Sequence, residues 1–218
     1  MLEVRHLNAS YGQAQVLFDV SLTVPQGSMV LIQGLNGAGK SSLLKSIMGL
    51  MPNSTGQIEW QGMSLEKLPP HERSQKGLGY VPEDRRLFSA LTVRQNLEIA
   101  VPRQAKKSGN LAAPLQLKDI LDLFPSLSAM LDRPASQMSG GEQQMLALGR
   151  TLMTQAHLLL LDEPCEGIAP VLAQSIAQAL EMLKKQGFTL LIAEQNQILS
   201  GMADQVLRIA GGHLTDPQ

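Results

Sequence analysis

Gly34-Leu-Asn-Gly-Ala-Gly-Lys-Ser41 is the stretch that decides how this chain is read. It fits the pattern GxxxxGK[ST], directly after an apolar run, Met29 to Gln33, and directly before a run of helical character, Ser42 to Leu50. Strand, glycine-rich loop and helix in that order make a phosphate cradle. Glycines let backbone N–H groups turn inward, and the helix N-terminus adds partial positive charge. Gly34, Asn36, Gly37, Ala38 and Gly39 then form the loop around a nucleotide's phosphates, with Ser42 at the start of the helix. Lys40 is expected to reach the β- and γ-phosphates, and the Ser41 hydroxyl to ligate Mg2+. The plainer alternative is a glycine-rich turn of no chemical consequence. It leaves the Lys-Ser pair and its flanking strand and helix unaccounted for.

A second stretch supports the first. Leu158-Leu-Leu-Leu-Asp-Glu163 ends a fully apolar run on two carboxylates. Such a run suits a parallel strand covered on both faces, and ligands bind at the C-terminal edge of open parallel sheets. Asp162 is placed to hold the Mg2+ shell, and Glu163 to orient or deprotonate an attacking water. A strand that merely ends in solvated charge is the alternative, and the nearby phosphate loop weakens it. A third stretch, Ser139-Gly-Gly-Glu142-Gln-Gln, opens a helical run to Thr154. Ser139 and Glu142 have capping-box spacing, so this is at least a well-capped helix. Its paired glycines also bare a helix N-terminus that can touch a γ-phosphate.

Around these motifs the chain begins with strand-like runs at Leu2 to Val4, Val20 to Val24 and Gln57 to Gln61. From Leu91 to about Met138 the pattern turns helical, with Thr92 and Gln95 spaced as a capping box. Pro102 to Pro114 is polar and basic and reads as a surface loop. Pro170 to Gln186 carries Leu172, Ile176, Leu180 and Leu183 on one helix face, and Phe188 to Ala193 reads as another buried strand. The expected fold is α/β, with a β-rich start and a core interrupted by a helical insertion.

Composition narrows the function. The chain has 218 residues, 44% hydrophobic and 17% charged, which fits a globular chain. A net charge of -1 and 3% aromatics argue against a nucleic-acid surface. The lone Cys165 cannot form an internal disulfide, which fits a reducing compartment. The opening MLEVRHLNASYG has no basic region followed by an apolar core, and no apolar run nears the ~20 residues of a membrane helix. A membrane role is therefore expected only through a partner.

The three motifs, in this order and with a helical insertion between the first two, resemble the nucleotide-binding domains of ABC transporters over nearly the whole chain. The resemblance implies a single domain over residues 1–218. An antiparallel β part and a RecA-like parallel-sheet core would take 1–83 and 155–218, and a helical subdomain about 84–154. It implies two ATP molecules sandwiched in a head-to-tail dimer. Ser139, Gly140, Gly141 and Glu142 would then bind the ATP held by the partner's Lys40. It also implies that Tyr11 stacks on adenine and that Glu166-Gly-Ile-Ala169 crosses the dimer axis. At the family's lid position, usually Gln, stands Glu83, a competent hard ligand for Mg2+. At its switch position, usually His, stands Gln195, which can donate to a γ-phosphate but cannot titrate.

VPEDRRLF, LTVRQNL, MSGGEQQMLALGR, LLLLDEP and AEQN together look like the second ATPase of branched-chain amino-acid importers, whose relatives serve urea and short amides. The implied partners are membrane permease subunits, a sister ATPase or a second copy, and indirectly a solute-binding protein. The implied place is the cytoplasmic face of the inner membrane. Arg85, Arg86 and Phe88 are candidate permease contacts. Relatives usually continue into a final short helix beyond the point matching Gly211-Gly-His-Leu214. Two alternatives stay open. A soluble ABC ATPase acting on DNA or the ribosome usually carries two ATPase domains or a long coiled coil, absent here. A weakly hydrolysing regulatory module is suggested by Glu83 and Gln195, against Lys40, Asp162 and Glu163.

Overall fold

The computed structural model describes residues 1–102 and 114–215. The loop expected between Pro102 and Pro114 lies, apart from those two prolines, outside the described residues. Two sheets organise the rest. Strands β1 (Leu2–Tyr11), β2 (Ala14–Val24), β4 (Asn53–Trp60) and β5 (Met63–Ser64) form an antiparallel sheet in the order β2-β1-β4-β5. The second sheet runs β10-β9-β3-β8-β7-β6. It comprises β3 (Met29–Gln33), β6 (Leu78–Val81), β7 (Leu158–Asp162), β8 (Thr189–Glu194), β9 (Gln205–Ala210) and β10 (His213–Thr215). All its neighbours are parallel except the edge strand β10.

The central strands β3, β7 and β8 are apolar because both faces are covered. Along β3, Met29 and Leu31 join one core, while Val30 and Ile32 join the other. The first core packs against α5 (Gly140–Met153) and α6 (Pro170–Lys185), through side chains such as Leu146, Ile176 and Leu180. The second packs against α1 (Lys40–Met48) and the antiparallel sheet, through Leu43, Ile47, Leu17 and Trp60. Leu158 to Leu161 are completely buried, and each contributes about 1.5–3 kcal/mol on leaving water. This anchors the strand whose end carries the two acids.

Helix α1 needs support at its C-terminal end, where carbonyls lack partners. Arg73, on the short helix α2 (Pro70–Gln75), provides it. Its buried guanidinium donates to Ser46 O at 3.0 Å, Ile47 O at 2.8 Å and Leu68 O at 2.8 Å. Gly49 follows the helix at φ 79°, and a Cβ there would stand 2.8 Å from the Arg73 Nε. Only glycine meets both conditions.

Two expectations are adjusted. Strands β1 and β2 run far beyond the short apolar stretches that signalled them. Their register shifts between Val4 and Leu7 and around Ala9, and His6 and Asp19 take left-handed φ values of 52° and 51°. Such bulges break the two-residue alternation on which a sequence reading depends. The segment from Leu91 to Met138 holds only two short α-helices among the described residues, α3 (Val93–Glu98) and α4 (Leu117–Leu123). Two 3-10 helices, Pro125–Met130 and Ala135–Gln137, follow α4, joined by turns and irregular backbone. Prolines 125 and 134 interrupt the α-helical ladder there. The capping box of Thr92 and Gln95 forms as expected.

Candidate active site

Strands β3, β7 and β8 end together, with Gln33 beside Glu194 and Asp162 beside Ala193. The phosphate loop, the paired acids and the Gln195 loop therefore rise from one sheet edge. The phosphate loop is shaped by close approach. A Cβ on Gly34 would collide with the Ile209 main-chain oxygen. Gly39 sits at φ 111°, with room for a Cβ closed by Leu17 at 3.0 Å and Val16 O at 3.2 Å. Gly39 also has no side chain to cap α1, so the first N–H groups of that helix stay available to a ligand.

Inside this edge four of the candidate side chains touch in two pairs, Lys40 with Glu163 and Ser41 with Asp162. The Lys40 ammonium is 4% exposed and donates to Gly34 O at 2.8 Å and Leu35 O at 3.2 Å. It also pairs with Glu163 Oε1 at 2.9 Å. Ser41 Oγ donates to Asp162 Oδ1 at 2.8 Å, and the Tyr80 hydroxyl donates to Asp162 Oδ2 at 3.1 Å. Burial pushes the Asp162 carboxyl up from the ordinary carboxylate range, and the Ser41 and Tyr80 hydrogen bonds oppose that shift. Burial, then the Asp162 charge, pushes the Tyr80 hydroxyl up and keeps it a donor. Glu163 takes φ 49°, and its N–H donates to Ala193 O at 2.9 Å. This turn directs its carboxylate back over the loop. Nothing in the sequence signals Tyr80, which reaches Asp162 only because β6 pairs with β7.

A hollow of about 480 Å³ opens over these groups, lined by Tyr11, Asn36, Lys40, Ser41, Glu83 and Glu163, among others. Tyr11 and Glu83, far apart in sequence, thus line one hollow with the phosphate loop. Gln195 is exposed and lines an adjoining hollow of about 530 Å³, with Gly34, Leu35 and Arg208. Ser139, Gly140, Gly141 and Glu142 line neither hollow. They form the N-terminus of α5, where Ser139 N donates to Glu142 Oε2 at 2.7 Å and Glu142 N donates to Ser139 Oγ at 3.5 Å. Gly141 packs so closely on α6 that a Cβ would collide with Leu172.

The donor chemistry fits Mg2+. A hydroxyl and carboxylates are hard oxygen ligands. Among the described residues no three His, Cys, Asp or Glu side chains cluster tightly enough to hold a metal alone. The cation would therefore be shared with phosphate oxygens and water, the usual arrangement for Mg2+.

The stretch after Glu83 departs from expectation. Arg85 faces inward, with Nε donating to Gln144 Oε1 at 3.2 Å and Nη1 to Gln143 Oε1 at 3.4 Å. Left-handed φ values at Arg85 (60°) and Arg86 (47°) make the turn. Arg86 and Phe88 do face outward. With Tyr80, Ile99 and Arg150 they line a groove of about 440 Å³, and the Arg150 guanidinium lies 5.4 Å from the Phe88 ring centre.

A phosphate loop whose lysine and serine face paired strand-end acids belongs to a P-loop nucleoside triphosphatase. The sequence pattern of the ABC transporter family matches residues 17–166. The chain belongs to the ABC transporter family, as one of its ATPase subunits. It is 41% identical over 210 residues to the high-affinity branched-chain amino acid transport ATP-binding protein BraG of Pseudomonas aeruginosa, covering 96% of this chain and 86% of that protein. It is 39% identical over 201 residues to the probable branched-chain amino acid transport ATP-binding protein LivF of Archaeoglobus fulgidus, covering 90% of this chain and 82% of that protein. The crystal structure of a nucleotide-free ATP-binding cassette from an ABC transporter superposes with a TM-score of 0.84 at 27% identity, over 99% of this chain and 90% of that one. No helix among the described residues is long and apolar enough to cross a membrane.

Proposed function

We propose that this ATPase drives the import of branched-chain amino acids through a separate membrane permease, with Lys40, Ser41, Asp162 and Glu163 as its chemical centre. The observation that carries the reading of the centre is the buried contact chain Glu163–Lys40 and Ser41–Asp162. The branched-chain amino acid transport role of the two relatives supports the cargo. Lys40 and the N–H groups of the loop hold the β- and γ-phosphates, and Tyr11 receives the adenine. Ser41, Asp162 and Glu83 would hold Mg2+, which would spread charge away from the γ-phosphate. A phosphate reaching Lys40 competes with Glu163 for the ammonium. The displaced carboxylate is then free to take a proton from the attacking water. Gln195 donates to the γ-phosphate from the other side.

Ser139 to Glu142 complete the site of a second subunit in a head-to-tail pair, which accounts for their distance from the phosphate loop of their own chain. Residues 84–154 act as the subdomain that carries them. The groove beside Arg86 and Phe88 receives the permease, while Arg85 belongs to the interior link between that loop and α5. Closure around ATP supplies the mechanical drive, so permease state and turnover must influence each other reciprocally.

The test is the solution mass of Glu163→Gln, by light scattering, with and without Mg-ATP. A doubling on ATP supports the two-ATP sandwich and self-pairing. A monomer that binds ATP means that closure needs a sister subunit or the permease. Absence of ATP binding would sink the reading. Uptake of labelled leucine against labelled urea, in vesicles holding the chain with its permease, decides the cargo.

A further inference from the structure

Glu194 has no part in the chemistry so far, yet it ends β8 immediately before Gln195 and is 1% exposed. No basic side chain forms an ion pair with it among the described residues. A buried carboxylate without a cation is costly unless hydrogen bonds satisfy it. Here they come from two loops. Its Oε1 accepts the Cys165 N–H at 2.9 Å, from the turn that carries Asp162 and Glu163. Its Oε2 accepts the Gln195 N–H at 3.2 Å, and the Asn196 N–H donates to it as well. One hydroxyl could satisfy one of these loops. Two oxygens at the end of a long side chain reach both.

We infer that Glu194 is a positioning residue that clamps the Glu163 turn to the Gln195 loop, so that base and γ-phosphate donor address the same phosphate in register. This rests on the roles proposed above for Glu163 and Gln195. Both loops rise from neighbouring strands, but nothing in β7–β8 pairing fixes the backbone beyond Glu163. The clamp fixes it two residues further, at Cys165. Glu194→Gln keeps the size and one acceptor but turns a donor toward the N–H groups of the second loop. Glu194→Asp keeps the charge and loses the reach.

The experiment is steady-state ATP turnover and ATP affinity of Glu194→Gln, Glu194→Asp, Gln195→Ala and Glu194→Gln/Gln195→Ala, in the assembled transporter. Misplacement of this size should lower kcat by at least about 10-fold in Glu194→Gln and Glu194→Asp, with ATP affinity changed by no more than about twofold. The double variant should lose no more than the slower single variant, because both changes remove one linked arrangement. Rescue of the rate by Glu194→Asp would show that charge alone matters, and would overturn the clamp. So would losses that multiply in the double variant, or a full rate in Gln195→Ala beside a slow Glu194→Gln. Should Glu194→Gln fail to fold, Glu194→Asp alone and combined with Gln195→Ala gives the same decision. Glu163→Gln is the control. Full turnover there means the assigned chemistry is wrong, whereas a dead Glu163→Gln beside a fully active Glu194→Gln removes only the clamp.

Discussion

Two helices of this chain begin beside glycines, and they are capped differently. Helix α1 starts at Gly39, with no capping side chain and no acid in its first turn. Its N-terminus faces a lysine, a serine and two acids already held in place. Helix α5 starts at Ser139 with a complete capping box and an acid, Glu142, in its first turn. Its N-terminus lines no hollow with the phosphate loop. The first end is equipped to hold a nucleotide within one chain. Under the proposed head-to-tail pairing, the second would act only against a nucleotide held by another subunit. On that proposal one molecule carries one nearly complete site and one half meant for a partner's nucleotide.

The contrast can be broken at its complete side first. Lys40→Ala should weaken ATP binding by about 10²–10³-fold, because it removes the buried ammonium that the phosphates would pair with. Titration calorimetry measures this, and binding that survives unchanged would mean the α1 end is not the primary site. Glu163→Gln should leave binding intact and lower turnover by about 10²–10³-fold, within the usual range for losing a general base. Ser139→Ala attacks the half meant for a partner. It should cost about 1 kcal/mol of cap stability and lower Tm by roughly 2–4 °C. Turnover should fall about 10-fold or more with ATP affinity unchanged within about twofold. Equal effects on affinity and turnover would erase the distinction between the two ends. Phe88→Ala lies outside both. It removes an exposed cation–π contact worth about 0.5–1 kcal/mol, and should reduce permease-stimulated turnover while sparing the basal rate. The smallest effect concerns pH. No histidine lines the nucleotide hollow, so turnover should show no step near about 6.5 that disappears in Gln195→Ala.

The ends that carry chemistry were legible because their signals are local. Gly34 to Ser41 specify a turn, a charge and a helix start within eight residues, and Leu158 to Glu163 a buried strand and its acidic end. Helix α6 was legible from periodicity, with Pro170 at its start and Gly187 after it at φ 90°. What escaped depends on contacts between distant segments. Tyr80 reaches Asp162 through strand pairing, and Arg85 turns inward through two left-handed residues that nothing in an Arg-Arg pair announces. Glu194 carries no signal in the sequence because its partners are backbone N–H groups, which every residue but proline has.

Gly49 and Arg73 carry a consequence of a different kind. The guanidinium occupies the space a side chain at 49 would need, and it ends the helix that begins at the phosphate loop. A lysine at 73 offers no planar fork for carbonyls lying on two sides. Neither position is free to drift alone, so among diverging descendants of this chain the two should be inherited as a unit, and a lineage that loses Arg73 should be the one in which Gly49 first gives way to Asn, the residue that best tolerates its left-handed backbone.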